Sequence, residues 1–256
     1  IQIDALLIAP ASNVLEHYVL KTKSLKIPSL VEKPLFCAES SPFFANEEIE
    51  GFDHLRVAYN RRFLTSIDWI REELIHVEQT LIEIEAFELS GSANAKLEDG
   101  SKNVLDNLVH LIDLAMFLLD CPYESIQFSI LPYTKSASRE MQIRFHSVVS
   151  RYESIIHLKF GIPGNYSLRF GSDGKYRVLK PIEVAQAFVG MEIIEPSLEM
   201  PIRRYFPKQS ESIAVPKSEL EHKPGFLSQA IEFKEFVEKG YSKKLATVKD
   251  AYKVYE

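Results

Sequence analysis

Cysteine is scarce: two in 256 residues, Cys37 and Cys121, far apart and without C-x-x-C or Cys-His spacing. That excludes a disulfide scaffold and points to two reduced thiols of a cytoplasmic protein. Long apolar runs are missing as well. None reaches the ~18 residues of a membrane span, and no signal-peptide pattern opens the chain, so no membrane partner is expected. Positive charge is never concentrated, because 30 Lys and Arg stand against 36 Asp and Glu for a formal charge of -6. Pairs such as Arg61-Arg62, Arg203-Arg204 and Lys243-Lys244 are too small to track a phosphate backbone, so no nucleic-acid partner is expected. What is present, 46% hydrophobic and 26% charged residues, is enough for one large or two smaller domains with a substantial core.

The most informative segment runs from Asn103 to Leu119. At 3.6 residues per turn, Asn103, Asp106, His110 and Asp113 share one stripe of a helix in which nearly every other position is Val, Leu, Ile, Ala, Met or Phe. A helix so apolar must be buried. Interior carboxylates and imidazoles are costly unless paired or used, so Asp106 and His110 at i, i+4 invite an acid/base reading. On spacing alone, a buried helix whose polar stripe meets solvent or other polar groups is the better reading. A metal site of Asp106, His110 and Asp113 has suitable ligand types for Zn or Mn, but no further ligand motif accompanies it, and no metal is expected.

The opening run Ile3 to Ala9 stopped by Pro10 suits a buried parallel strand; a helical stretch from Asn13 to Leu25 and a strand at Pro28 to Val31 follow. Charge then appears at Glu32-Lys33-Pro34, the carboxyl end of that strand, where open α/β sheets bind ligands. Taken with Val57-Ala58-Tyr59-Asn60-Arg61-Arg62-Phe63 and Asp106-x-x-x-His110-x-x-Asp113, these landmarks resemble, in order and distance, the glucose-fructose oxidoreductase / inositol dehydrogenase family, Gfo/Idh/MocA. The resemblance covers nearly the whole chain but begins in the middle of the family's pattern. The G-x-G-x-x-G turn is not among the 256 residues, and the expectation is that an amino-terminal half of the nucleotide-binding domain precedes Ile1.

The resemblance implies an α/β fold: a partial Rossmann nucleotide-binding fold over 1–62, then an α/β substrate-binding and oligomerisation domain over 63–256 with a large open mixed or antiparallel sheet. It implies an NAD- or NADP-dependent dehydrogenase acting on a sugar, polyol or sugar-nucleotide-like alcohol. The alternatives are a non-catalytic ligand-binding or regulatory protein of the same fold, and an NAD-assisted glycoside hydrolase. Ala9, Pro10, Asn13, Glu32, Lys33 and Pro34 are the implied cofactor contacts, and Tyr59, Asn60, Arg62 and Asn107 the implied substrate contacts. Lys33, Asp106 and His110 are the implied catalytic set. Alcohol oxidation needs a base beside a group that stabilises the alkoxide; His110 suits the first role at an ordinary pKa of ~6.5, Asp106 tunes it or binds a neighbouring hydroxyl, and Lys33 donates to the reacting oxygen. Asp113 is expected to orient the helix or cap a neighbour. Leu108 stands where many members have Gly, so its bulk narrows the pocket or moves the substrate off the helix.

Beyond the junction, a helix is expected from Leu64 to His76 and strands at Leu81–Leu89, Ile126–Leu131, Met141–Val148, Ile155–Phe160 and Tyr166–Phe170, with Ser172-Asp173-Gly174 as a hairpin turn. Pro181 to Pro216 reads as long irregular surface connections. The stretch from Pro224 to Lys239 reads as an amphipathic helix with Ile231, Phe233, Phe236 and Val237 buried. Alternation in the strands after Leu81 is expected to leave one sheet face apolar enough to need a partner, hence a homodimer or homotetramer.

Overall fold

The computed structural model describes residues 3–35, 50–88, 108–132, 140–160 and 162–255; Cys37, Ser40-Ser41-Pro42, Gly100, Asp106 and Asn107 lie outside them, as does the side chain of Asn13. Strands β1 (Leu6–Ile8), β2 (Ser29–Val31) and β3 (Leu55–Val57) pair in parallel in the order β1-β2-β3. Helix α1 (Ser12–Leu25) makes the crossover from β1 to β2. It buries Leu15 and Val19, one turn apart, and ends on Lys26 in the left-handed region, whose N–H closes on the Thr22 carbonyl.

From β3 the chain passes through a 3-10 turn, Asn60–Phe63, into α2 (Thr65–Ile75), and on to β4 (Thr80–Glu88). Helix α3 spans 108–117 among the described residues. It is followed by β5 (Gln127–Pro132), β6 (Glu140–His146), β7 (Tyr152–Phe160), β8 (Ser167–Ser172) and β9 (Lys175–Leu179). With β10 (Ala185–Ile194) and β11 (Arg204–Ile213) they form a mixed eight-stranded sheet, β11-β10-β9-β8-β4-β7-β6-β5, in which only β4 and β7 pair in parallel. The chain closes with α4 (Lys217–Glu221), α5 (Phe226–Lys239) and α6 (Val248–Tyr255). Its last part returns to the first sheet, where the Val57 N–H donates to the Ala246 carbonyl at 2.9 Å.

Alternation decides which face of the large sheet is covered. Ile82, Ile84 and Ala86 of β4 and Ile156 and Leu158 of β7 are fully buried, in one core with Leu111, Leu114 and Ala115 of α3 and Ile67 and Ile70 of α2. The apolar character of α3 is thus spent on a core position. Its carboxyl end is pinned to the sheet, since Ser154 Oγ donates to the Ala115 carbonyl and Ser150 Oγ to that of Leu119. The β8–β9 hairpin turns on Asp173 and Gly174, both at positive φ, the pairing that a two-residue turn with the strands' own twist requires.

Three expectations are corrected. Pro181 to Pro216 holds the hairpin β10–β11 rather than irregular connections; both faces of its distal half are exposed, so no alternation marks it, and Pro207 is tolerated because β11 is an edge strand. Ile231 is 53% exposed, and α5 buries Phe233 and Phe236 against Phe63 and Leu245 instead. The open face of the large sheet is charged at its centre rather than apolar: Glu83 pairs with Arg169, Glu85 with Lys159 and Glu153 with Arg144 across neighbouring strands. Exposed apolar side chains lie toward the edges, Phe128, Ile130 and Leu131 on β5 and Met191 and Ile193 on β10. Among the described residues no helix is long and apolar enough to cross a membrane.

Candidate active site at the carboxyl ends of the parallel strands

The parallel pairing of β1, β2 and β3 brings three chain exits to one end of the sheet. The Glu32 N–H donates to the Ile8 carbonyl and the Ala58 N–H to that of Val31, both at 2.8 Å, so the segments starting at Ala9, Glu32 and Ala58 leave side by side. This is where an open α/β sheet presents ligand-binding groups. Ala9 is exposed, Pro10 half-buried and Pro34 buried after a cis Lys33–Pro34 peptide. The Glu32 carboxylate accepts from the Lys33 N–H at 3.1 Å, turning back on its own backbone, and Lys33 is half-buried.

Beyond β3, the 3-10 turn sends successive side chains in different directions. Tyr59, 2% exposed, places its ring edge-on to His110 with centroids 6.0 Å apart. Asn60 is buried and its side-chain amide donates to the Pro224 carbonyl at 3.0 Å. The next residue in that loop, Gly225, has φ +80, and a Cβ there would lie 2.2 Å from the Asn60 carbonyl oxygen. Only glycine lets the loop carrying Lys223 and the start of α5 sit this close. Arg61 stacks its guanidinium on the Tyr166 ring at 4.4 Å.

Arg62 turns inward. Its Nε donates to Asp113 Oδ2 at 2.8 Å and Nη2 to Asp113 Oδ1 at 2.5 Å; Nη2 also reaches the Tyr123 hydroxyl at 2.7 Å and Nη1 the Lys244 carbonyl at 3.2 Å. Burial works against the Arg62 charge, but the Asp113 carboxylate outweighs it and holds the guanidinium protonated above its ordinary value. The expected substrate contact by Arg62 is therefore corrected: its donors are committed inside the protein and its side chain is 3% exposed. Arg62 and Asp113 clamp the 3-10 turn to α3, which sets the spacing between Tyr59 and His110.

His110 is the central group. It is 8% exposed, and its Nδ1 has no hydrogen-bond partner among the described residues. Burial, reinforced by the charges of Arg61, Lys33 and Lys223, pushes its pKa from 6.5 down to about 2. The near-neutral titration expected from the sequence is thus not what these surroundings favour; they hold His110 in its uncharged form. A neutral, buried, unpartnered imidazole nitrogen can take a proton from a hydroxyl group, and surrounding cations stabilise the oxyanion left behind. Lys33 and His110 are brought to one neighbourhood from separate segments. Asp106 and Asn107 lie outside the described residues, and Leu108 is buried in the main core. Arg61, Tyr166 and Lys223 were not singled out from the sequence. A signal for Arg61 exists, because adjacent residues of a 3-10 turn cannot both point into the core; nothing comparable ties Lys223 to Asn60, 163 positions away. Among the described residues no group of three or more His, Cys, Asp or Glu is placed to hold a metal ion.

No family model matches this sequence, and no curated protein matches it. Solved structures do. A dehydrogenase from Clostridium difficile superposes with a TM-score of 0.67 at 14% identity, over 98% of this chain and 76% of that one. The UDP-N-acetylglucosamine 3-dehydrogenase of Acidithiobacillus ferrooxidans gives 0.66 at 12% identity over 99% and 76%. A Gfo/Idh/MocA family oxidoreductase from Vibrio cholerae gives 0.60 at 12% identity over 98% and 74%. The fold is that of the Gfo/Idh/MocA oxidoreductases. At these identities the likeness is one of fold, and the case for chemistry rests on the side chains at the carboxyl ends of β1 to β3.

Proposed function

We propose that this protein is an NAD(P)-dependent oxidoreductase that moves a hydride between a nicotinamide and a sugar, polyol or sugar-nucleotide-like alcohol, with His110 as the proton acceptor. The observation that carries the reading is the neutral, buried His110 with an unpartnered Nδ1, beside the exits of three parallel strands and within the field of Lys33 and Arg61. The residues present fit the nicotinamide end of a dinucleotide: Ala9, Pro10 and Pro34 offer an apolar lip at the joined ends of β1 and β2, with Glu32 and Lys33 beside it and Asn13 at the start of α1. The 256 residues contain no G-x-G-x-x-G to wrap a diphosphate, so the fit is confined to that end.

Bound there, a nicotinamide supplies the hydride acceptor or donor. The chain's own residues manage the proton and the charge. His110 accepts the hydroxyl proton as the carbon loses hydride. Lys33 and Arg61 lower the energy of the alkoxide at that moment, which compensates for the weak basicity of an imidazole held so far below its ordinary pKa. Tyr59 walls His110 from water, and Arg62 with Asp113 keeps that wall in place. We propose self-association as a homodimer or homotetramer through the exposed apolar side chains of β5 and β10 that flank the charged centre of the large sheet. Isothermal titration with NAD(H) and NADP(H) tests the cofactor: heat with at least one is expected, and none with either contradicts the assignment.

A further inference from the structure

The two edges of the large sheet are built differently. Strand β11 closes one end, with a strand on one side only among the described residues. It carries Arg204, Pro207, Lys208 and Glu211, and two register shifts interrupt its pairing with β10. Charge, a proline without an N–H and bulges are the features by which an edge strand resists a further strand. Strand β5 closes the opposite end with none of them before its last residue. Gln127-Phe128-Ser129-Ile130-Leu131 holds no charge and no proline, and all five residues are exposed. Its register with β6 runs unbroken from Gln127 against His146 to Pro132 against Met141.

The side chains of β5 lack cover as well. Phe128 pairs with Phe145 and Ile130 with Ile143, and both partners are buried, so Phe128 and Ile130 lie on the face that carries the core. They are nonetheless 43% and 50% exposed, and Leu131, on the opposite face, is 56% exposed. A strand added at this edge covers all three and pairs the outward backbone groups. A second copy of β5 fits it. In antiparallel register about Ser129, Phe128 of each copy stands opposite Ile130 of the other and Gln127 opposite Leu131, so the core-bearing faces of both copies stay on one side. Aromatic and β-branched residues facing each other in this way stabilise neighbouring strands, and on an uncharged segment no like charges meet. Moving the register by one pair in either direction brings Pro132 into the ladder or leaves Leu131 without a partner.

We propose that β5 is a dimerisation edge: two copies of the chain pair β5 to β5 about a two-fold axis at Ser129, which joins their eight-stranded sheets into one. Because the β11 edge is defended, strand pairing stops at two copies instead of continuing into a filament. One short strand with three apolar side chains supplies roughly half of the ~800 Å² that each partner gives to a standard interface, so the dimer is weak and depends on concentration. The inference rests on the self-association in the proposed function and uses nothing of the His110 site.

Sedimentation velocity of the 256-residue chain, from micromolar to millimolar concentration, tests it for the parent protein, Ile130→Lys and Ile193→Lys. A reversible monomer–dimer equilibrium is expected, loosened by roughly tenfold or more in Ile130→Lys. Ile193→Lys, which places the same charge on the exposed apolar surface of β10, should leave it unchanged. A parent protein that stays monomeric throughout overturns this inference and self-association together. A dimer loosened equally by both variants, or by Ile193→Lys alone, leaves self-association standing and overturns the β5 edge. Aggregates that grow without limit overturn it too. Cross-linking reads the register even where Ile130→Lys fails to fold, because Ser129 and Gln127 are exposed. In a Cys37→Ser/Cys121→Ser background, Ser129→Cys should form an intermolecular disulfide under mild oxidation, since directly opposed residues bring their Cα atoms to ~4.5–5.5 Å. Gln127→Cys, set far from its own counterpart, should not. Ser129→Cys protein that remains single-chain, or Gln127→Cys protein that links as readily, overturns the proposal.

Discussion

Removing the Asp113 carboxylate strands a buried cation. In Asp113→Ala, Arg62 loses two charge-assisted hydrogen bonds and, among the described residues, the only carboxylate within 3 Å, while its remaining acceptors there are the Tyr123 hydroxyl and the Lys244 carbonyl. Asp250 stands 4.0 Å away, partly exposed, and cannot replace a bidentate partner. Breaking one side of a buried pair costs about 3–5 kcal/mol, because the surviving charge keeps its desolvation penalty. For a chain of this size that is a fall in melting temperature of roughly 6–20 °C. Chemical denaturation followed by far-ultraviolet dichroism measures it. The double variant Arg62→Met/Asp113→Leu should recover much of the loss, since no charge is left in the core. A cost below about 1 kcal/mol for Asp113→Ala, the level of an exposed pair, would refute the clamp. So would a double variant as damaged as the single.

His110→Ala should lower turnover by roughly two to four orders of magnitude with cofactor affinity nearly unchanged; loss of melting temperature with normal activity per folded molecule would mark it as structural. Gly225→Ala should destabilise by more than about 1 kcal/mol and weaken the attachment of α5, because φ +80 and the Asn60 carbonyl oppose a Cβ together; an unchanged melting curve would count against that contact. His110 and His54 are both pushed down by burial, so the folded state disfavours the protonated form of each. Above the ordinary value of 6.5 neither state carries the proton and full stability is present; as pH falls below it, the unfolded chain takes up the proton first and stability drops, for His110 down to about pH 2. The slope is at most about 1.4 kcal/mol per pH unit per group, and denaturation midpoints in His110→Gln should fall less steeply in acid; identical slopes would contradict the burial argument.

Much of the layout is legible in the residues themselves. Short apolar runs ended by proline or charge mark β1 and β2, the alternation of Ile82, Ile84 and Ala86 marks β4, and Asp173-Gly174 marks a tight hairpin. The β10–β11 hairpin is illegible because its distal half buries neither face, and the signal that reveals strands is burial on alternate residues. Ile231 misleads for the opposite reason: an apolar residue at helical spacing need not be covered. In the site, the helix carrying His110 is visible from its polar stripe, whereas its electrostatics are not. Those depend on Lys223 arriving from the far end of the chain through a glycine at positive φ, and on Arg62 rather than Arg61 turning into the core.

The central claim is that a hydride passes at His110 beside the ends of β1 to β3. It is tested most directly by incubating the protein with nicotinamide cofactor deuterated at C4 and a panel of neutral, acidic and phosphorylated keto sugars, then locating the label by mass spectrometry and NMR. The account predicts deuterium at one carbinol carbon of one substrate, and little or none with His110→Ala. Folded protein that moves no label with either NADH or NADPH, or that moves it equally well without His110, contradicts it.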